Sequence, residues 1–320
     1  MERRALWAPI LYLYAKGSVQ MSDVMMQYLS SALVAAKKAG AEILDVYQGD
    51  IDVTYKKDNT PLTLADQRAH NVILNHLRVE SLKHIPLLSE EGKHIPYKER
   101  KSWQSLWLVD PLDGTKEFVK RRDEFTVNIA LIEANRPVLG VVFAPAKDSL
   151  YFAAAGFGSY KLEDLEIIAE MEGNTAKHRQ DNELAAKLVD SAKKLPIHEL
   201  ADRSIDKLRL VGSRSHGTKA LTDFVDNLKQ QYGEVELIPA GSSLKFCRVA
   251  EGTAASYPRF GPTMEWDTAA GHCIVEQSGG AVLDMDQRTS LAYNKEDLHN
   301  PGFICVGKNF KDIPLPGELV

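Results

Sequence analysis

The chain has 320 residues, 44% of them hydrophobic and 26% charged, with a formal net charge of −5. That length suits one large domain or two medium ones, and the mild acidity excludes the electrostatic footprint of a protein that binds nucleic-acid polymers. The three cysteines, Cys247, Cys273 and Cys305, are far apart and include no C-x-x-C pair, which argues against a disulfide framework or a zinc site and fits a reducing cytoplasm.

At the N-terminus, Arg3 and Arg4 precede an apolar run from Ala5 to Tyr14 that Pro9 interrupts. The run falls short of the ~20 apolar residues that span a bilayer, and no small-x-small cleavage site follows it. Residues 1–20 are therefore expected to be a disordered extension. Two readings are open for it: an extraneous segment, or a peripheral attachment to the cytoplasmic face of the inner membrane. Met21 begins a clean helical pattern and is a candidate translation start.

Apolar residues recur at helical spacing from Ser22 to Tyr47, at Met25, Leu29, Leu33, Ala36 and Ile43. Lys56 to Pro61 reads as a loop. Thr63 starts a second helix with Ala65, Ala69, Val72, Ile73 and Leu77 on one side. Strands are predicted over 85–89, 106–110, 125–132, 138–144 and 150–155, with a hairpin turn around Asn135-Arg136-Pro137. Residues 161–204 are polar, with two helix-like pieces, and are expected to be an insertion or a mobile connection with a solvated surface. A second unit follows, with strands over 208–213, 235–239 and 281–284. It also carries a helix over 218–231, a segment from Ser243 to Gly252, and a helix over 268–278. Helices first and strands after them predict an α+β domain over 21–205, and alternating strands and helices predict an α/β domain over 206–320.

The chemistry centres on Asp110-Pro111-Leu112-Asp113-Gly114-Thr115, which follows the apolar run Leu106 to Val109. Two carboxylates and a turn carbonyl suit a hard cation such as Mg²⁺. The Gly114 and Thr115 N–H groups suit an anionic oxygen. An Asx-type turn that only caps local donors is the other reading. Three more stretches bear on the choice: Ser89-Glu90-Glu91-Gly92 after a strand, Thr63-Leu64-Ala65-Asp66 at a helix start, and Glu265-Trp266-Asp267-Thr268 at another. Capping explains Asp66 and Asp267 one at a time. Together, Asp66, Glu90, Asp110, Asp113 and Asp267 imply two or three divalent ions.

Trp107 to Phe118 and Trp266-Asp-Thr-Ala-Ala-Gly with Gly279-Gly280 resemble the two signatures of the inositol monophosphatase superfamily. Within it, the chain is similar to the CysQ-type 3′(2′),5′-bisphosphate nucleotidase branch. That likeness rests on Lys116-Glu117-Phe118, Glu124 to Ala130, Ser213 to His216, Gly241 to Cys247, Tyr257 to Pro262 and Asn300 to Phe303. The resemblance implies a layered α-β-α-β-α sandwich and a Mg²⁺-dependent, lithium-sensitive phosphomonoesterase. Glu90, Asp110 and the Leu112 carbonyl would hold one ion, and Asp110, Asp113 and Asp267 a second. Asp66, with Glu90, would hold a weaker third or place the attacking water. Thr115 would orient that water, and Gly114 with Thr115 would hold the phosphate. Ser242, Lys245, Arg259 and His216 would face the nucleotide, a small-molecule substrate. The implied reaction converts adenosine 3′,5′-bisphosphate to AMP and phosphate in sulfur assimilation, with the sulfated nucleotide PAPS as a second substrate. An inositol or sugar monophosphatase, and a non-catalytic nucleotide or metal sensor, are the alternatives.

Overall fold

The computed structural model describes residues 23–49, 53–55, 61–79, 82–174, 181–198, 208–212, 218–310 and 313–314. The N-terminal extension and His216 lie outside the described residues. The chain begins with α1 (Asp23–Gln48), the short antiparallel pair β1 (Val53–Tyr55) and β2 (Pro61–Thr63), and α2 (Leu64–Leu77). Next come β3 (Leu87–Ser89), α3 (Tyr97–Arg100), β4 (Ser105–Asp113), α4 (Thr115–Val119), β5 (Thr126–Glu133) and β6 (Arg136–Ala144). The β5–β6 turn lies at Ala134 and Asn135, both at positive φ, one residue earlier than predicted. Then follow β7 (Ser149–Ala154), β8 (Gly158–Leu162), α5 (Glu166–Asn174), α6 (Asp181–Asp190) and β9 (Lys193–Lys194). The last third holds β10 (Leu208–Gly212), α7 (Lys219–Tyr232), β11 (Val235–Pro239), α8 (Leu244–Glu251), β12 (Ser256–Arg259), α9 (Glu265–Gln277), β13 (Ala281–Asp284) and β14 (Phe303–Val306).

Two large sheets organise these elements. One has seven strands in the sequential order β3 to β9, and the other five in the order β11-β10-β12-β14-β13. Both faces of the first sheet are covered, so its central strands alternate between two cores rather than between core and water. Trp107, Val109, Val127, Ile129, Leu131 and Val141 pack against Met26, Leu29 and Leu33 of α1 and Ala69 and Ile73 of α2. Their neighbours Leu106, Leu108, Ala130, Ile132 and Val142 join a second core with Phe246 of α8 and Ala270, Cys273 and Ile274 of α9. That core also takes in Tyr257, Val282, Phe303 and Cys305 of the second sheet. Phe224 and Leu228 of α7 cover the far side, against Leu210, Ile304 and Val306. The layers run α1/α2, first sheet, α8/α9, second sheet, α7, which is the α-β-α-β-α sandwich expected.

Helix α9 is the wedge between the sheets. A Cβ on Gly140 of β6 would lie 2.4 Å from the Ala270 carbonyl oxygen, so only glycine lets the strand and helix backbones touch. All three cysteines, on α8, α9 and β14, are free and buried in the core between the two sheets. Burial pushes each thiol well above its ordinary pKa.

Residues 161–204 depart from a purely solvated connection. Leu162 ends β8, β9 pairs with β8, and Leu165, Ile168, Met171 and Leu188 are buried in the α1 core. Apolar side chains at i, i+3 and i+6 gave the polar composition a hidden seam. Helix α9 starts three residues before the predicted Thr268, and β8, β12 and β14 are strands that the periodicity did not show. Among the described residues, no helix is long and apolar enough to cross a membrane.

Candidate active site

The site begins with strand pairing. β3 runs parallel to β4 with Ser89 opposite Val109, and the Glu90 N–H donates to the Val109 carbonyl at 3.1 Å. Glu90 therefore leaves its strand beside Asp110. On the other side of β4, Asp110 pairs with Asn128 and Asp113 with Thr126. Three steps on β4 match two on β5, which is a bulge. In a regular strand Asp110 and Asp113 would point to opposite faces. The extra residue returns Asp113 to the face of Asp110, toward α8 and α9. Pro111 sits in the bulge, where its missing N–H costs no ladder bond. The Leu112 N–H donates to Asp110 Oδ1 at 3.0 Å, and Gly114 turns the chain into α4 at φ +90, a conformation that favours glycine.

Two helices add carboxylates at their third residues. In α2, Asp66 Oδ2 accepts from the Thr63 N–H and hydroxyl, both at 2.7 Å. In α9, Asp267 Oδ2 accepts from the Met264 N–H at 2.8 Å. The capping role read from sequence is thus real in both cases, and it leaves the other oxygen of each carboxylate to face the site. Thr115 Oγ1 lies 3.3 Å from Asp66 Oδ1 and 3.3 Å from the Leu112 carbonyl.

Asp110, Asp113 and Asp267 offer oxygens that all lie within 4.8 Å of one another. Burial first, then the charges of Glu90, Asp113 and Asp267, push Asp110 well above the usual carboxylate range. Burial, then Asp113, pushes Asp267 up to about 8. Carboxylates held this close, one buried and two partly so, are an oxygen-rich donor set with unneutralised charge, which fits a hard divalent cation.

A polar layer supports Asp113 from behind. Ser242 Oγ donates to Asp113 Oδ2 at 2.6 Å, and Ser243 Oγ lies 3.1 Å from the same oxygen and 2.9 Å from the Asp267 carbonyl. Thr126 Oγ1 touches Ser242 Oγ, and Asn128 Nδ2 donates to Ser243 Oγ at 2.9 Å. Ser243, Thr126 and Asn128 were not among the predicted site residues. The last two lie in the Glu124 to Ala130 stretch that carries the resemblance, and their local signal was a pair of polar side chains, two residues apart, in a largely apolar strand.

Next to the carboxylates is a cavity of about 120 Å³ lined by Glu117, Ser242, Lys245, Tyr257, Arg259 and Thr263, and reached by Asp113, Gly114 and Asp267. Lys245 is only 8% exposed. Its Nζ donates to the Ser242 carbonyl at 2.6 Å and lies 5.4 Å from the centre of the Tyr257 ring. Burial pushes its pKa down, Asp113 opposes that, and Arg259 adds to it. Arg259 is half-buried, with Nε donating to the Gly261 carbonyl at 3.2 Å and Nη2 to the Pro262 carbonyl at 3.1 Å. The structure therefore brings Gly114, Ser242, Lys245 and Arg259 to one cavity with two of the carboxylates. Ser242 differs from expectation in one respect: its hydroxyl is engaged with Asp113 as well as lining the cavity. Glu117 and Tyr257, which carried the resemblance without a site role, also line the cavity.

A bulged strand, two capping helices and an acidic cluster with Asp110 buried at its centre define a class. Residues 25–312 match the inositol monophosphatase family, and the chain belongs to that metal-dependent family. Within it, the 3′(2′),5′-bisphosphate nucleotidase CysQ of Salmonella typhimurium is 43% identical over 270 residues, covering 84% of this chain and 95% of that one. The CysQ of Buchnera aphidicola is 39% identical over 264 residues, covering 82% and 86%. The crystal structure of CysQ from Bacteroides thetaiotaomicron, at 44% identity, matches with a TM-score of 0.73 over 90% of this chain and 97% of that one. An inositol monophosphatase from Anabaena, at 21% identity and a TM-score of 0.63, shares the fold.

Proposed function

We propose that this chain is a 3′(2′),5′-bisphosphate nucleotidase that hydrolyses adenosine 3′,5′-bisphosphate to AMP and phosphate in sulfur assimilation, and that it also accepts PAPS. The observation that carries this reading is Lys245, a buried ammonium that shares one cavity with Arg259 and the carboxylate cluster. A nucleotide with two separated phosphates needs a cationic contact remote from the reacting one, and an inositol monophosphate does not. The identity to CysQ proteins, at 43–44% over most of the chain, supports the same substrate class.

In this reading Glu90, Asp110, the Leu112 carbonyl, Asp113 and Asp267 hold roughly two or three Mg²⁺ ions, as two-metal phosphatases do. When bound, the ions supply Lewis acidity to the phosphoryl oxygens and to water. The chain's own groups do the rest. Thr115 Oγ1 orients the attacking water, and Asp66, 3.3 Å from that hydroxyl, takes up its proton. The Gly114 and Thr115 N–H groups hold the reacting phosphate, and Ser242, Lys245 and Arg259 hold the remote one. Residues 21–205 then form the unit that supplies most metal ligands, and residues 206–320 the unit that supplies Asp267 and the nucleotide contacts. The setting is the cytoplasm, where three unpaired thiols persist.

The test is phosphate release from adenosine 3′,5′-bisphosphate and from inositol 1-phosphate, each with and without Mg²⁺ and Li⁺. Mg²⁺-dependent, Li⁺-inhibited release that favours the bisphosphonucleotide is expected. Faster release from inositol 1-phosphate overturns the substrate assignment, and no release from either overturns the enzymatic one.

A further inference from the structure

His272 lies in the middle of α9, fully buried, between two sheets of largely apolar side chains. Both ring nitrogens are engaged. Nε2 is 3.0 Å from Glu276 Oε1 and 3.2 Å from Ser290 Oγ, and Nδ1 is 2.8 Å from the Tyr293 hydroxyl. Arg136 Nη2 donates to the same Glu276 oxygen at 2.7 Å. On its other side, the Tyr293 hydroxyl is 3.3 Å from Thr268 Oγ1, the residue after Asp267. Thr268 Oγ1 donates to the Glu265 carbonyl at 3.1 Å and accepts from Asn300 Nδ2 at 3.1 Å. With Tyr293 as its second donor, that hydroxyl has its full complement of one donated and two accepted bonds. Asn300 Nδ2 also reaches the Met264 carbonyl at 2.8 Å, and the Met264 N–H is the group that holds Asp267 Oδ2.

The path has a consistent proton direction when both ring nitrogens are protonated. Nε2–H points at Glu276, whose Oε1 also takes the Ser290 hydroxyl. Tyr293 accepts from Nδ1–H, and its own O–H is released to Thr268. The loop that carries Tyr293 is fixed independently. Glu265, fully buried, accepts from the Asn294 N–H at 2.6 Å and the Lys295 N–H at 3.0 Å. Arg100 Nη1 donates to Asn294 Oδ1 at 3.0 Å.

We propose that Tyr293 and His272 are positioning residues for Asp267, a clasp that fixes the first turn of α9 and so the aim of its carboxylate. This rests on Asp267 being a metal ligand. Residues that orient metal ligands from behind typically set metal affinity by about 10–100-fold when they are removed.

The experiment compares Tyr293→Phe with Tyr151→Phe. Tyr151, on β7, is another buried hydroxyl of the core between the sheets, bonded to Glu251 Oε1 at 2.9 Å and not to α9. Calorimetric Mg²⁺ titration and the Mg²⁺-induced rise in Tm are measured on each full-length protein, with kcat and KM at saturating Mg²⁺. The expected result is an Mg²⁺ affinity at least about 10-fold weaker in Tyr293→Phe, an unchanged KM, and wild-type affinity in Tyr151→Phe. His272→Phe should reproduce the loss and His272→Gln should restore part of it. Equal Mg²⁺ affinities in the two tyrosine variants overturn the clasp alone. Absence of Mg²⁺ binding by the wild-type protein overturns both the clasp and the metal-site reading.

Discussion

The carboxylates at this site come in two kinds, and the difference lies in what else each does. Asp110 and Asp113 ride on a strand and share a face only because a bulge inserts one residue between them. Asp66 and Asp267 ride on helices, and one oxygen of each closes its own helix cap. Removing a strand carboxylate disturbs the cation site and little of the frame. Removing a helix carboxylate disturbs both. A helix carboxylate is therefore held in aim by the same bond that stabilises its helix, whereas a strand carboxylate depends on its neighbours, here Ser242, Ser243 and Leu112.

Substitutions can separate the two kinds. Asp110→Asn should lower kcat on the order of 10³-fold or more while raising the stability of the metal-free protein, because it removes a buried charge. Residual activity near wild type would remove Asp110 from the centre of the site. Asp66→Asn keeps an acceptor for Thr63, so its Tm should stay close to wild type while kcat falls about 10²-fold. Asp66→Ala should lose the cap as well, at about 1 kcal/mol, and equal thermal melts for the two variants would deny Asp66 its double role. Lys245→Met leaves both pairs in place. It should cost the bisphosphonucleotide about 10–100-fold in kcat/KM and inositol 1-phosphate no more than about 2-fold. Equal losses would show that the carboxylates alone decide the substrate.

The smallest effect is on stability against pH. Asp110 and Asp267 have folded pKa values above their unfolded ones, so the folded state binds more protons and stability falls as pH rises. For Asp267 the contribution is full below about 4 and is lost as pH rises through about 8. Glu276, held at about 2, has finished titrating before that window opens. Metal-free protein should lose a few degrees of Tm between pH 5 and 8, and Mg²⁺ should flatten the curve. A flat curve without metal would show that the cluster carries no net charge strain.

Much of this was legible in the chain. Asp110 to Thr115 stood out because strand, turn and donors are contiguous, and β5 and β6 showed as two largely apolar runs on either side of a turn. Three things were not legible, each for a physical reason. The bulge depends on pairing with β5, and an odd spacing of carboxylates does not announce it. β12 holds Pro258, which argues against a strand unless the neighbouring ladder tolerates a missing donor. Thr126 and Asn128 act on residues more than a hundred positions away, Ser242 and Ser243, so their polar pair in an apolar strand does not say what they touch.

The cysteines between the two sheets have a practical consequence. Cys247, Cys273 and Cys305 belong to three elements that only α9 and its neighbours keep dry. Thiol reagents will reach them at the rate at which that core opens, since a buried thiol is inert and its thiolate is disfavoured. The native protein thus carries three internal clocks, one in the wedge, one on α8 beside it and one on β14 of the second sheet. Labelling rates read by mass spectrometry will time how often the sandwich comes apart, and whether it does so strand by strand or all at once.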